Sequence, residues 1–341
     1  MKRTIIRGLI LSFAIGLSAC MKIIVESKDK IDEDEFIEFS DQAFLSALLR
    51  HEDLDKNLDG RISMREASQR EKPLDLSVAE IQDMNEIRFF ENIRTLRCNR
   101  NRLTALDVSK NTALERLECG NNQLTALDVS KNTALEDLYC VDNPLTTIDV
   151  SKNTKLEHLD CTSNQLTTLD VSKNTALESL VCYNNQLTTL DVSKNTKLEH
   201  YLECGNNQLT ALDVSKNAKL KVLYCDNNQL TALDVSKNTA LEGLECYNNQ
   251  LTALDVSKNT KLKFLECYNN QLTALDVSKN PALEELDCFN NQLTTIDLSN
   301  NPIITRLYCG GNPLQKIILS RSNKLPPSFI NEYKDIIEYV D

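Results

Sequence analysis

From Leu96 to Leu307 apolar residues return in one fixed pattern. A single unit reads Leu114-Glu-Arg-Leu117-Glu-Cys119-Gly-Asn-Asn122-Gln-Leu124-Thr-Ala-Leu127-Asp-Val129-Ser-Lys-Asn132-Thr-Ala, and its cysteine recurs at Cys98, Cys119 and Cys140, 21 residues apart. Leu117 and Cys119 alternate with Arg116, Glu118 and Gly120, the period of a strand with one face inward and one in solvent. Stacking successive units pairs these strands in parallel, with rungs about 4.8 Å apart. Leu114, Leu117, Cys119, Leu124, Leu127 and Val129 then fill a continuous core that no single unit could bury alone. The expected fold is a repeat solenoid. Asn122 and its equivalents Asn101, Asn143, Asn164 and Asn185 suit a sharp corner, because an Asn side chain can satisfy backbone groups of its own and the next coil and tolerates left-handed dihedrals. The Asp-Val-Ser-Lys-Asn half places columns of Asp and Lys on the outer side, where neighbouring columns of opposite sign offset repulsion within each.

The pattern loosens at both ends. Leu74 and Leu76 read as a degenerate first strand, and Ile81, Met84, Ile87, Phe90 and Ile93 lead at threes into the Leu96-Arg97-Cys98 rung. The array is therefore bounded at 74–320, with eleven Leu-x-Cys rungs after the degenerate one. Beyond it, residues 321–341 are expected to fold back over the open end of the stack, with strand favoured over helix for Ile336-Ile337-Glu338-Tyr339-Val340. Ahead of the array, Ser40–His51 reads as an amphipathic helix, with Ser40 as N-cap and Phe44, Leu45 and Leu48 on its apolar side.

The string L-x-x-L-x-L-x-x-N-x-L, with cysteine in the third leucine place, is the leucine-rich-repeat signature. Its second half, Leu124-x-x-Leu127-x-Val129, repeats the scheme. Nested halves of this kind resemble a 21-residue class of bacterial leucine-rich repeats, the internalin-like ones. That resemblance covers residues 74–320. It implies a right-handed superhelix with a parallel β-sheet on its concave face, preceded by a small helical segment, and a surface that binds instead of catalysing.

Charge and cysteine usage narrow the partners. The 341 residues carry a net charge of −12 and a pI near 4.9, so the phosphate backbone of a nucleic acid is repelled. Of twelve cysteines, Cys20 stands alone. The other eleven keep the repeat's step, with one step of 22 between Cys182 and Cys204, where Tyr201 is the extra residue and a local bulge or a neutral insertion is expected. Such a column could be a disulfide ladder, a zinc site or buried filler. Stacked parallel side chains are poorly aimed for disulfide torsions and do not converge tetrahedrally, so buried free thiols are expected. Three histidines, no nucleophile with a paired base and no glycine-rich phosphate loop give no support to an enzyme. Glu245 and Glu266 could imitate a glycosidase pair, but they recur because the unit recurs.

The N-terminus carries an address. Lys2, Arg3 and Arg7 precede an apolar run from Leu9 to Leu17 that is too short to span a bilayer and ends in small residues, as a signal peptide does. Leu17-Ser18-Ala19-Cys20 resembles the lipobox of bacterial lipoproteins; a plain secretory signal with an incidental cysteine is the alternative. The resemblance implies cleavage after residue 19 and a diacylglycerol on the Cys20 thiol, anchoring the protein to a membrane. Residues 20–39, rich in Asp, Glu and Lys, are expected to be a flexible tether. No aspartate follows Cys20, which in that family points to the outer membrane, and the acidic tether resembles surface-export signals of some Gram-negative lipoproteins. The expected setting is a lipid-anchored monomer on the bacterial surface.

Within residues 40–73 lies Asp55-Lys56-Asn57-Leu58-Asp59-Gly60-Arg61-Ile62-Ser63-Met64-Arg65-Glu66, which fits the EF-hand loop at every specified position. Asp55, Asn57 and Asp59 would give side-chain oxygens, Arg61 its carbonyl, Ser63 a direct or water-bridged contact and Glu66 two oxygens to one Ca2+. A single loop resembles dockerin-like modules more than a calcium sensor, and implies a structural ion.

The positions that vary between repeats carry the functional information. Between Leu and Cys stand Tyr139, Tyr224, Glu245, Glu266, Asp287 and Tyr308, among others; just past Cys stand Tyr183, Tyr247, Tyr268 and Phe289; Phe264 precedes Leu265. All are expected on or beside the concave sheet. An acidic face with aromatics suits a basic protein surface, because aromatics anchor and carboxylates steer. It would also suit a glycan, whose sugar faces stack on rings.

Overall fold

The computed structural model describes residues 35–340. The signal segment, Cys20 and most of the tether lie outside the described residues. After a two-residue first strand, each repeat contributes one three-residue strand to the concave sheet. The strands are β1 (Leu74–Asp75), β2 (Thr95–Arg97), β3 (Arg116–Glu118), β4 (Asp137–Tyr139), β5 (His158–Asp160), β6 (Ser179–Val181), β7 (Tyr201–Glu203), β8 (Val222–Tyr224), β9 (Gly243–Glu245), β10 (Phe264–Glu266), β11 (Glu285–Asp287) and, after β12 (Thr295–Asp297), β13 (Arg306–Tyr308). All but β12 form one twelve-stranded sheet in chain order, parallel, with Leu96, Leu117 and Leu138 in register. This is the leucine-rich-repeat superhelix, its sheet on the concave face.

The core is the set of columns expected from the sequence: Leu114, Leu117, Cys119, Leu124 and Val129 are wholly buried, and Leu127 nearly so. Leu74, Leu76, Ile81, Met84, Ile87, Phe90 and Ile93 continue that core towards the N-terminus. The cysteines from Cys98 to Cys309 are buried free thiols. Burial pushes their pKa up, to about 12 at Cys98, Cys182 and Cys246, so they stay protonated at neutral pH and act as small apolar filler.

Two asparagine ladders hold the coils together. In the first, Asn122 donates to the carbonyls of Cys98 and Cys119 at 3.0 Å and accepts from Leu103 N at 3.1 Å. The coil reached is the preceding one, not the next as expected. The left-handed backbone also belongs one residue earlier, at Asn121, Asp142, Ser163 and Asn184, because that residue turns the corner while Asn122 plugs it. The second ladder was not anticipated as buried: Asn132 is fully enclosed and donates to Val108 O at 3.0 Å and Asn111 O at 2.9 Å. Outside it, the Asp column is bound to its own turns, with Asp128 accepting from Ser130 N at 2.8 Å.

The second half of the unit stays in turns until the C-terminus, where β12, β14 (Lys316–Ser320) and β15 (Ile337–Val340) build a separate three-stranded parallel sheet. Between β14 and β15 lies the short helix α3 (Pro327–Glu332). The final segment is thus a strand that follows a helical turn, and Phe329, Ile330 and Tyr333 pack against the end of the core.

At the other end the helix is shorter than expected, α1 (Gln42–Leu48), and its N-cap is Asp41, which accepts from Ala43 N and Phe44 N. Ser40 instead donates its hydroxyl to Asp83 at 3.1 Å. The sequence boundary of the tether at residue 39 is also too late. Ile37 and Phe39 are buried, Ile37 N donates to Ile62 O at 2.9 Å, and Phe39 meets Phe44 edge-on at 5.3 Å. Apolar side chains two apart at the end of a charged run are the mark of this packed segment.

Candidate functional site: the concave face

Strand geometry sorts the exposed side chains of the concave face into three columns. The first strand residue gives one column, which includes Tyr201 and Phe264, and the third gives the column of Tyr139, Tyr224, Glu245, Glu266, Asp287 and Tyr308. The residue after each cysteine gives the last, with Tyr183, Tyr247, Tyr268 and Phe289. All the positions expected to bind ligand therefore lie on one face, but they are not one cluster. Tyr139 sits near the N-terminal end and Tyr308 at the last strand, 53% exposed. Tyr201 does not bulge the sheet. The extra residue is absorbed ahead of β7, and Leu180 still faces Leu202.

The N-terminal rungs are electrically closed. Glu118 takes Arg116 at 2.7 Å, Arg97 at 3.0 Å and Asn99 at 3.0 Å, while Arg116 reaches Asp137 at 3.3 Å. The Arg116 guanidinium lies over the Tyr139 ring, 4.7 Å from its centroid. Burial pulls the Glu118 pKa upward, but the two arginines outweigh it and hold the carboxyl below the usual range.

From β7 to β10 the same columns carry acids without bases. Burial, then repulsion from Glu266, Asp226 and Glu203, pushes Glu245 up to about 7. Glu203 and Glu266 are raised for the same two reasons, burial first. Burial and the surrounding carboxylates push Tyr224 up to about 12. Among the described residues no ion pair reaches Glu203, Glu245 or Glu266.

Beside this row Tyr247 and Tyr268 stack, centroids 4.3 Å apart and planes 7° from parallel. The sequence reading missed what holds them. Asp226, 2% exposed, is hydrogen-bonded to Tyr247 and accepts from Asn227 Nδ2 at 2.8 Å. Asn227 in turn accepts from Asn248, Asn248 from Asn269, and Asn269 from Asn290, at 2.7, 2.6 and 2.8 Å. This amide chain ends on a carboxylate, so each bond polarises the next. Room for Asp226 comes from Gly205, where a Cβ would stand 2.4 Å from Asp226 Oδ1. A glycine one repeat before an acid in the same column was the available signal.

The 55–66 loop closes on its own amides. Gly60 has φ +77, Asp55 accepts from Gly60 N at 2.8 Å and Asp59 N at 3.2 Å, and Asp59 accepts from Arg61 N at 2.9 Å. Asn57 and Asp59 touch at 2.9 Å. Ser63 and Glu66 form a capping box on α2 (Met64–Ser68), and Glu66 Oε1 accepts from Lys56 N at 2.8 Å. The oxygen donors suit a hard cation in kind. Their oxygens turn to the loop's own amides, and among the described residues no three acidic, histidine or cysteine side chains converge at metal-binding separation.

Comparison with known proteins agrees with the architecture. The leucine-rich-repeat family (two copies) matches residues 260–305, and no curated protein matches the chain significantly. Among solved structures, the functional domain of InlJ from Listeria monocytogenes, described as including a cysteine ladder, is 36% identical with a TM-score of 0.72. The match covers 82% of this chain and 62% of that one, so the chain spans less than two thirds of its length. The internalin InlF of Listeria monocytogenes is 22% identical, TM-score 0.64, covering 89% of this chain and 95% of that one. The Leptospira interrogans protein LIC12759 is 22% identical, TM-score 0.63, covering 82% and 85%. The chain is a leucine-rich-repeat array with internalin-like structural neighbours. Folds of this kind are typically interaction scaffolds.

Proposed function

We propose that this protein is a membrane-anchored surface binding protein that takes a protein ligand on the concave face of its solenoid. The observation that carries the reading is the concentration of stacked tyrosines and of carboxylates without an ion-pair partner on β7–β10, since aromatic anchors and unscreened charge are what a recognition surface supplies. The test is binding of the purified protein to panels of extracellular proteins and to a glycan array. Protein binding that falls at least tenfold in Tyr247→Ala or Tyr268→Ala supports the reading. Binding of sugars alone, abolished by the same changes, replaces it with a glycan-capturing lipoprotein.

The setting is part of the proposal. Lipid on Cys20 would hold the chain at the outer membrane, and Cys20→Ser should then release it from the membrane fraction. Among the described residues no helix is long and apolar enough to cross a membrane. Protease shaving of intact cells tests whether the concave face is reachable. The 55–66 loop is proposed to take one structural Ca2+ through Asp55, Asn57, Asp59, Arg61, Ser63 and Glu66. With a dissociation constant of order 10⁻⁴ M, millimolar Ca2+ would stabilise the N-terminal segment by about 1.4 kcal/mol. Chelation should lower its melting temperature, and Asp55→Ala should remove that response.

A further inference from the structure

The two ends of the concave sheet present the same columns, and one of them shows how a cation is held. On β3–β4, Arg116 lies between Glu118 and Asp137 with its guanidinium over the Tyr139 ring. On β8–β10 the third column carries Tyr224, Glu245 and Glu266, a tyrosine beside two carboxylates, but the first column there is Val222, Gly243 and Phe264, with no base. The acids form a row one residue wide. It is walled on one side by Val222 and Phe264 and on the other by the stacked Tyr247 and Tyr268, with the buried Asp226 carboxylate behind them.

We propose that the trough over β7–β10 takes an extended segment of a partner protein bearing lysines or arginines, laid along the stacking axis, whose cations fill the place that Arg116 fills on β3–β4. This rests on the reading of the concave face as a protein-binding surface and specifies the partner's chemistry. The width of the row decides for an extended chain. Rungs recur about every 4.8 Å, so Glu203 and Glu245 stand roughly 10 Å apart and Glu266 about 5 Å further on, while same-face side chains of an extended chain recur at roughly 7 Å. Flexible lysine and arginine stems take up that mismatch. The ring faces add cation–π attraction beside the carboxylates. The raised Glu245 gives the interaction a proton linkage: a cation favours the ionised carboxylate, so binding strengthens as pH rises through about 7.

Fluorescein-labelled decalysine, followed by anisotropy, is the probe. Glu245→Gln with Glu266→Gln is expected to weaken binding at least tenfold, while Glu118→Gln with Asp137→Asn, the same loss of two charges on the closed rungs, changes it less than twofold. Affinity should rise severalfold between pH 6 and pH 8, and that rise should shrink in Glu245→Gln. Equal weakening by the Glu118 and Glu245 variants would mean attraction to net charge alone and overturns the inference, as does absence of binding. Melting curves of each variant report folding; removing Glu245 should not lower them, because it relieves repulsion. If a protein ligand from the panels binds Glu245→Gln, Glu266→Gln as tightly as the unaltered protein, this inference fails and the protein-binding reading stands. If sugars alone bind, both fail.

Discussion

On β2–β4 the carboxylates of the concave face have arginines in contact, whereas on β7–β10 the ones in the same column have none. Strand length, register and core are the same in both regions. The scaffold therefore does not dictate the electrostatics; the side chains in the three exposed columns do. Where Arg97 and Arg116 stand, the face is neutralised from within and has little to offer a charged partner. Where the first column holds Val222, Gly243 and Phe264, burial and mutual repulsion raise the acids, and Tyr224 beside Glu245 and the more distant Arg306 offset this only in part. A repeat protein can in this way keep one architecture and place its binding region by composition alone.

The largest effect expected tests whether the scaffold really is equal in the two regions. Asn143→Ala and Asn228→Ala each remove a buried side chain that accepts an amide of the preceding coil and donates to carbonyls of both coils. Buried groups left unpaired cost about 1–3 kcal/mol each, so both variants should lose about 3 kcal/mol or more of local stability. Hydrogen exchange of the flanking rungs is the readout, since contacts in a solenoid are to neighbours. A cost at Asn228 far from that at Asn143 would show that the regions differ in packing as well as charge.

Much of this was legible before the structure because repetition amplifies a weak signal. The Leu and Cys columns, the sheet register and the face on which Tyr247 and Glu245 lie all follow from period and alternation. What escaped is whatever depends on two residues a whole coil apart. Asp226 reads as one more surface acid, and only its neighbours Gly205 and Tyr247 on adjacent coils bury it. Asn132 reads as a turn residue, yet its two acceptors lie on the previous coil. Residues 35–39 read as tether because Glu35 and Glu38 mask the spacing of Ile37 and Phe39. The expected anchor at Cys20 lies outside the described residues.

A smaller effect should follow from opening the closed region. Arg116→Gln frees Glu118 and Asp137 of one shared base and uncovers the Tyr139 ring. Its guanidinium is about a third exposed, so solvent screening limits the loss to about 1 kcal/mol. The sharper outcome is functional. Decalysine should gain a second, weaker site on β2–β4, detectable as a change in stoichiometry by titration calorimetry. An unchanged stoichiometry would mean that Arg97 alone still closes this end.

The smallest expected effect is the response to pH, and its sign should reverse between the regions. Glu118 has a folded-state pKa below its unfolded value, so its contribution is present above about 4.5 and lost as pH falls through the folded value. Glu245 is raised to about 7, so its folded state binds the extra proton. The contribution of Glu245 is complete below about 4.5 and lost as pH rises through about 7. Between pH 5 and 8 the amides of β8–β10 should therefore lose protection relative to intrinsic exchange, while those of β2–β4 stay level. Below pH 4.5 the N-terminal rungs should be the ones to loosen. Glu245→Gln should flatten the first response and leave the second untouched. Parallel loosening of both regions over pH 5–8 would mean that the acids of β7–β10 are already relieved within the chain, and would remove the electrostatic ground for placing the partner there.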